Sequence, residues 1–190
     1  MFAQKLEMSM GINMGPGYID YSWHDDFTNN EPDNSEFFGP NAYFYLTGKI
    51  SQHLFLKSTI SANDYKTFVD IKYNIDGIDY IILKYITVSQ YILSIAPEYR
   101  YKMNKSTTLF ANAGISINKV QSSSNENLTG VFNTTRFGLL ANVGVNLKIK
   151  ENLGVTMGLG FDKESKFQQN IPTISVHKYF LQMGILYSID

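Results

Sequence analysis

Residues 136–161, RFGLLANVGVNLKIKENLGVTMGLGF, constrain the fold more than any other stretch of the chain. Phe137, Leu139, Ala141, Val143, Val145, Leu147 and Ile149 hold one phase of a two-residue alternation, and Arg136, Gly138, Leu140, Asn142, Gly144, Asn146 and Lys148 hold the other. After a polar break at Lys150, Glu151 and Asn152 the alternation resumes, with Leu153, Val155, Met157, Leu159 and Phe161 set against Gly154, Thr156, Gly158, Gly160 and Asp162. Successive side chains of a strand point to opposite faces, so the stretch reads as a tight hairpin with two unlike faces. A face turned to bulk water is normally rich in Lys, Glu, Arg and Thr. Here the weaker phase is Gly and Asn, with its charges near the strand ends. Such small side chains suit the inside of a narrow closed barrel, where eight strands leave room for side chains and little else. The apolar phase must then point outward, which is stable in lipid provided that ring closure pairs every backbone N–H and C=O.

The rest of the composition agrees. The 190 residues are enough for one domain and too few to suggest two. Without cysteine there is neither a disulfide framework nor a thiolate metal site. A net charge of -1 gives no basic surface for nucleic acid. The 13 Tyr and 13 Phe beside only 17% charged residues fit aromatic girdles at two membrane interfaces. No run approaches the ~20 apolar residues of a membrane helix, and the mean hydropathy of -0.16 is that of a soluble chain. Barrel strands hide their apolar content by alternation, so that value carries little weight. Residues 1–4 read either as the tail of a secretory signal peptide, Phe2-Ala3-Gln4 resembling a small-residue cleavage site, or as a flexible start. Residues 5–190 then form a single barrel domain.

In chain order, a first strand from about Lys5 alternates Leu6, Met8, Met10, Ile12 and Met14 with Glu7, Ser9, Gly11 and Asn13. Residues 15–39 turn polar and irregular, and their middle reads as a long acidic loop. Strands follow from about Asn41 to Ile50, from His53, from about Lys84 to Tyr101, from Thr107 to about Lys119, then the hairpin above and a last strand with Tyr179, Leu181, Met183, Ile185, Tyr187 and Ile189 outward. Asp76-Gly77 is a strong hairpin signal flanked by Ile71, Tyr73, Ile75 and Ile78, Tyr80, Ile82, so the third and fourth strands can continue, past a bulge at Asn63-Asp64, as a tall projecting hairpin. Pro97 is a misfit inside a strand, since it lacks a ladder donor and belongs at an edge or bulge. Short turns near residues 51, 104 and 151 alternate with longer connections near 30, 76, 127 and 168, the pattern of short periplasmic turns and long outer loops. An even strand count puts both termini in the periplasm.

The last strand carries the most specific motif, Gln182-Met183-Gly184-Ile185-Leu186-Tyr187-Ser188-Ile189. It resembles the C-terminal assembly signal of outer-membrane barrels at Gln182, Gly184, Tyr187 and Ile189, although Ile189 stands where an aromatic residue is frequent and Asp190 follows. Together with PEYRYKMNKSTTLFANAGIS, Pro97 to Ser116, it makes the chain similar to the porin-like outer-membrane β-barrel domain family of Gram-negative bacteria. The resemblance implies a small eight-stranded barrel without enzymatic activity, embedded in outer-membrane lipid and lipopolysaccharide, handled by the barrel assembly machinery, and acting in integrity, adhesion or surface interaction. No cofactor and no catalytic residue carries over.

Several groups are candidates for a site. Glu7, Lys49, Lys57, Glu98, Arg100 and Lys148 fall on inward phases in the lower, periplasmic half of the lumen, where opposite charges need partners, so a salt-bridged plug is expected, either purely structural or switchable. The acidic segment with Asp20, Asp25, Asp26, Glu31, Asp33 and Glu36 could bind Ca²⁺ or a cation-bridged lipopolysaccharide surface, or simply be solvated. Trp23, Tyr18, Tyr21, Phe37 and Phe38 fit the outer girdle. His24, His53 and His177 lack metal-ligand spacing, and His177 near the outer rim is the one candidate for a lipid-modifying reaction. The fold expected is therefore an all-β, eight-stranded, antiparallel, up-and-down transmembrane barrel with at most a narrow pore. The competing soluble reading, a lipocalin-like barrel with an apolar ligand inside, exchanges the two phases and would turn Gly138, Asn142, Gly144, Gly158 and Gly160 outward.

Overall fold

Every strand of this chain except those at the ends of a sheet would need two hydrogen-bonded neighbours, and closure supplies them for all. A computed structural model shows eight antiparallel strands, β1 (Met8–His24), β2 (Asn34–Lys49), β3 (Leu54–Ile75), β4 (Ile78–Lys102), β5 (Thr107–Ser123), β6 (Asn133–Lys148), β7 (Leu153–Glu164) and β8 (Thr173–Ile189), closed in sequence order with β8 on β1. It describes residues 7–24, 34–75, 78–123, 133–164 and 173–189, and the side chains of 7–18, 39–64, 89–121, 135–164 and 177–189. The expected signal-peptide tail or flexible start at residues 1–4 lies outside these.

The register fixes the shape. Met10 is opposite Leu46, Leu46 opposite Ser58, and the series runs on through Ile95, Ile115, Leu139, Lys163 and His177 to reach β1 again at Asp20, ten residues along. That stagger tilts the strands and coils the sheet shut. The ends differ. At the base, where β1 begins and β8 ends, three short turns repeat one arrangement, with Ile50 N donating to Leu54 O (2.8 Å), Met103 N to Thr107 O (3.0 Å) and Ile149 N to Leu153 O (2.9 Å). Asn104 Oδ1 also accepts from Ser106 N and Thr107 N, both at 2.8 Å.

At the top, the strands are longer than the alternation predicts. β1 runs through Gly15-Pro16-Gly17 to His24 and β2 begins at Asn34, so both ends of the irregular stretch 15–39 are ladder, with Pro16 opposite Pro40, and its middle, where the loop is expected, lies outside the described residues. The β3–β4 ladder holds a single register from Leu54↔Tyr99 to Ile75↔Ile78, so no bulge interrupts it at Asn63-Asp64. Pairing to β2 stops at Ser61 and pairing to β5 stops at Thr87, so the upper part of β3 and β4 rises as a two-stranded ribbon roughly 30 Å long beyond Thr87, at about 3.3 Å per residue. Pro97 sits at neither an edge nor a bulge. The β4–β5 ladder passes from Ile95↔Ile115 to Glu98↔Asn112 without changing register, and it is only unpaired across Ala96 and Pro97. Pro97 turns its missing donor toward β5, where Gly114 carries no side chain to hold the strands apart.

The two phases lie as the alternation requires. Val143 (55% exposed), Leu159 (60%), Ile185 (60%) and Ile12 (56%) stand on the outside, whereas Asn13, Asn112, Asn142 and Gln182 are buried within. This excludes the soluble barrel with exchanged phases. Tyr99, Tyr101 and Tyr187 ring the outside near the base, and Tyr91, Phe137 and Tyr179 ring it higher up. Tyr91 and Tyr101 share β4, separated by about 33 Å along the strand and, at a tilt of roughly 40°, by about 25 Å along the barrel axis, the height of a hydrocarbon belt. Among the described side chains no charge projects outward between the two rings. Inward glycines make room for inward rings: the Tyr45 ring occupies the space a Cβ on Gly11 would need, and the Phe180 ring does the same at Gly160. The product is an all-β, transmembrane, eight-stranded antiparallel barrel.

Candidate functional site

Inside the barrel the polar phase builds a stack of three layers. The lowest is centred on Glu98, which is 2% exposed. Lys57 on β3 faces the small Ala96 on β4 in register, so its long side chain can lean diagonally to reach Glu98, and Nζ lies 3.4 Å from Oε2. Arg100, two residues along β4 and thus on the same face, donates from Nε to Glu98 Oε1 at 2.7 Å. Asn112 Nδ2 donates to Glu98 Oε2 at 3.0 Å, and a second guanidinium nitrogen of Arg100 donates to Thr47 Oγ1 at 3.0 Å. The Thr47 hydroxyl in turn is hydrogen-bonded to Ser9 Oγ. One carboxylate thus serves two cations. Aromatic faces supply the balance, with Lys57 Nζ 4.4 Å from the Tyr45 centroid and Arg100 Cζ 4.0 Å from that of Phe55.

The middle layer is uncharged. Asn13 Nδ2 donates to Tyr43 OH (2.8 Å) and to Gln182 Oε1 (3.2 Å), and Asn142 Nδ2 donates to Asn112 Oδ1 (2.7 Å). Phe180 packs edge-on against Tyr43, centroids 6.2 Å apart. These side chains come from five different strands, β1, β2, β5, β6 and β8.

The upper layer is again ionic. Asp162, Glu164 and Lys178 are 6%, 4% and 3% exposed. Arg136 lies 3.4 Å from Glu164 Oε2, Gln90 Nε2 donates to the other Glu164 oxygen, Ser116 Oγ donates to Asp162 Oδ1 at 3.3 Å, and Lys178 Nζ donates to Asn41 Oδ1 at 3.2 Å. Asp162 and Lys178 are direct register partners on β7 and β8.

Of the six charges read from the sequence as one cluster, the structure brings together Lys57, Glu98 and Arg100. Glu7 and Lys49 form a separate pair, Lys49 Nζ to Glu7 Oε1 at 2.6 Å, half exposed at the base. Lys148 is exposed at the end of β6, apart from both groups. Sequence reading missed the upper layer, although the pleat held the signal: Arg136 and Asp162 already sit on the weaker phase of the hairpin. Gln182 is buried in the middle layer, Gly184 faces inward so close to Ile12 O that it admits no side chain, Tyr187 belongs to the lower aromatic ring, and Ile189 pairs with Met8 where β8 closes on β1. His53 Nδ1 lies 3.2 Å from Arg100 O at a base turn, and His177 lies outside against Phe161, centroids 6.3 Å apart. Asp20 and Glu36 are register partners on β1 and β2, and Tyr18 packs against Tyr179 at 6.3 Å. Asp25, Asp26, Glu31 and Asp33 lie outside the described residues, as do the side chains of Tyr21, Trp23, Phe37 and Phe38. Among the described residues no group of three or more His, Asp or Glu is placed to hold a metal.

No family profile matches the sequence, and no curated protein matches it. Solved structures do. The outer membrane protein OprG from Pseudomonas aeruginosa superposes with a TM-score of 0.64 at 12% identity, covering 95% of each chain. A major outer membrane protein from Thermus thermophilus gives 0.61 at 11% identity, covering 98% of this chain and all of that one. The outer membrane protease OmpT from Escherichia coli gives 0.54 at 9% identity, covering 100% and 98%. Identities this low carry the fold and not the chemistry, and a protease shares that fold with proteins of other kinds. The chain is similar in architecture to the outer-membrane β-barrels.

Proposed function

We propose that this chain is an integral protein of the bacterial outer membrane with both termini in the periplasm, acting as a structural or surface-interaction barrel whose lumen is shut. The observation that carries this reading is the filled interior: Lys57, Glu98, Asn13, Gln182 and Gln90 are each 5% exposed or less, in three successive layers across the axis. The lower layer closes the lumen, because a buried carboxylate shared by two cations is held by desolvation as well as by charge, and breaking it strands both cations. Gln182, Gly184, Tyr187 and Ile189, at the closing strand, would be read by the assembly machinery as the chain enters the membrane.

Single-channel recording in planar bilayers tests the closed lumen. Wild type should show no large, steady conductance, and Glu98→Gln, which leaves Lys57 and Arg100 facing each other without their anion, should produce frequent openings. A large and permanently open channel in the wild type would overturn the reading.

A further inference from the structure

Charge is divided along the length of this barrel. The carboxylates that belong with the base are Glu7, Glu98, Glu151 and, one residue past β8, Asp190, and lysines and arginines outnumber them there. The rest of the sequence is acidic in excess. Glu98 is shared by Lys57 and Arg100, and Glu7 is taken by Lys49. Lys5 and Asp190, which flank β1 and β8 in the sequence, have opposite signs and cancel, and His53 is taken as neutral. The surplus of positive charge therefore belongs to the base turns and to the strand ends that feed them.

Three of these cations repeat one position. Lys49, Lys102 and Lys148 are the last residues of β2, β4 and β6, the strands that descend to the three base turns. Each is followed by an exposed apolar residue, Ile50, Met103 or Ile149, whose N–H closes the turn. The pleat puts each lysine on the lumen phase of its strand and the apolar neighbour on the lipid phase. The lysines thus stand on every second strand round the mouth, and the ladders set their Cα atoms within about 5 Å of one height. In a ring of eight strands a Cα lies about 8 Å from the axis and a lysine stem spans about 6 Å, so all three can converge on one group at the centre. Lys49 Nζ lies 2.6 Å from Glu7, whereas Lys102 and Lys148, both exposed, pair with no carboxylate among the described residues. Phe55, Glu98 and Phe110, all buried, roof the cup above them.

We infer that the base mouth of the barrel is a binding site for a soluble phosphoryl group, inorganic phosphate or a phosphate monoester, held by Lys49, Lys102 and Lys148. A phosphoryl group offers three strong acceptor oxygens and nearly two negative charges, where a carboxylate offers two oxygens and one charge, so three converging ammonium groups match the former. A cleft lined by one sign of charge within low-dielectric walls also concentrates the field on its axis. A phosphate on a lipid fits less well, because on these turns the lipid phase is held by Ile50, Met103 and Ile149 and the lysines stand on the opposite one. That the ligand comes from the periplasm rests on the orientation proposed above.

Isothermal titration of the detergent-solubilised barrel with inorganic phosphate, at constant ionic strength in a phosphate-free buffer, tests it. Wild type should take up one phosphate. The double substitution Lys102→Gln with Lys148→Gln should weaken uptake at least about tenfold, and Lys163→Gln at the other end of the barrel should leave it unchanged. No uptake by the wild type, full uptake by the double variant, or equal displacement of phosphate by acetate would overturn the site. So would displacement by dioleoylphosphatidic acid in mixed micelles, since the lysines would then serve a lipid. Heat-modifiable migration in detergent gels separates the two readings: a barrel that keeps the shift but takes up no phosphate fails the site alone, and a wild type without the shift would instead strike at the membrane barrel.

Discussion

Val143 and Gly160 show what a single position can and cannot tolerate in this wall. Val143 lies outside at mid-belt, so Val143→Arg places a guanidinium in hydrocarbon at a cost of ~2–4 kcal/mol, whereas Leu153→Arg, outside at the base, should cost about 0–1 kcal/mol. Folding of both variants into lipid vesicles, measured by urea titration, checks the gradient; equal costs would mean that the belt is not where the exposure pattern puts it. Gly160 is limited from the opposite side. Any Cβ there meets the Phe180 ring and Asn142 Oδ1, so Gly160→Ala should lose about 1–3 kcal/mol by overpacking. Phe180→Leu in the same chain should restore part of that loss, which a double-mutant cycle would detect as a coupling between the two sites.

At the scale of the strand, the sequence was most legible where lipid imposes a rule. Between the aromatic rings the outward positions are overwhelmingly apolar, so β5 to β8 could be phased from their Leu, Ile, Val, Met and Ala, and the inward glycines and asparagines followed. Above the belt that rule lapses. Gly15-Pro16-Gly17 and the residues after it look irregular because nothing there alternates, yet β1 continues through them to His24, held by backbone pairing that asks little of the side chains. The inward charges were half legible for a related reason. Lys57, Glu98 and Arg100 lie on stretches whose alternation is clear, so their inward phase could be read from the sequence. Arg136, Asp162, Glu164 and Lys178 occur near strand ends, where charges are normally attributed to solvent, and only the register shows that they converge. Lys148 errs in the opposite sense: its phase is right, but β6 ends beside it and the rim leaves it in the open.

For the molecule as a whole, the count of eight strands makes the interior narrow enough to be filled by its own side chains, and the ring without edges makes it indifferent to what is attached above. The β3–β4 ribbon turns that indifference into reach. Its connection at residues 76–77 joins Ile75 to Ile78, already register partners, and the ladder beneath has no lateral neighbour to disturb. A foreign peptide of about a dozen residues spliced between Asp76 and Gly77 should therefore leave the heat-modifiable shift intact, while the same insertion at the base turn between Lys150 and Glu151 should abolish it. With the termini in the periplasm, as proposed, antibody against the insert should find it on whole cells, roughly 30 Å along the ribbon beyond Thr87, so that the paired strands serve as a stalk for whatever their tip carries.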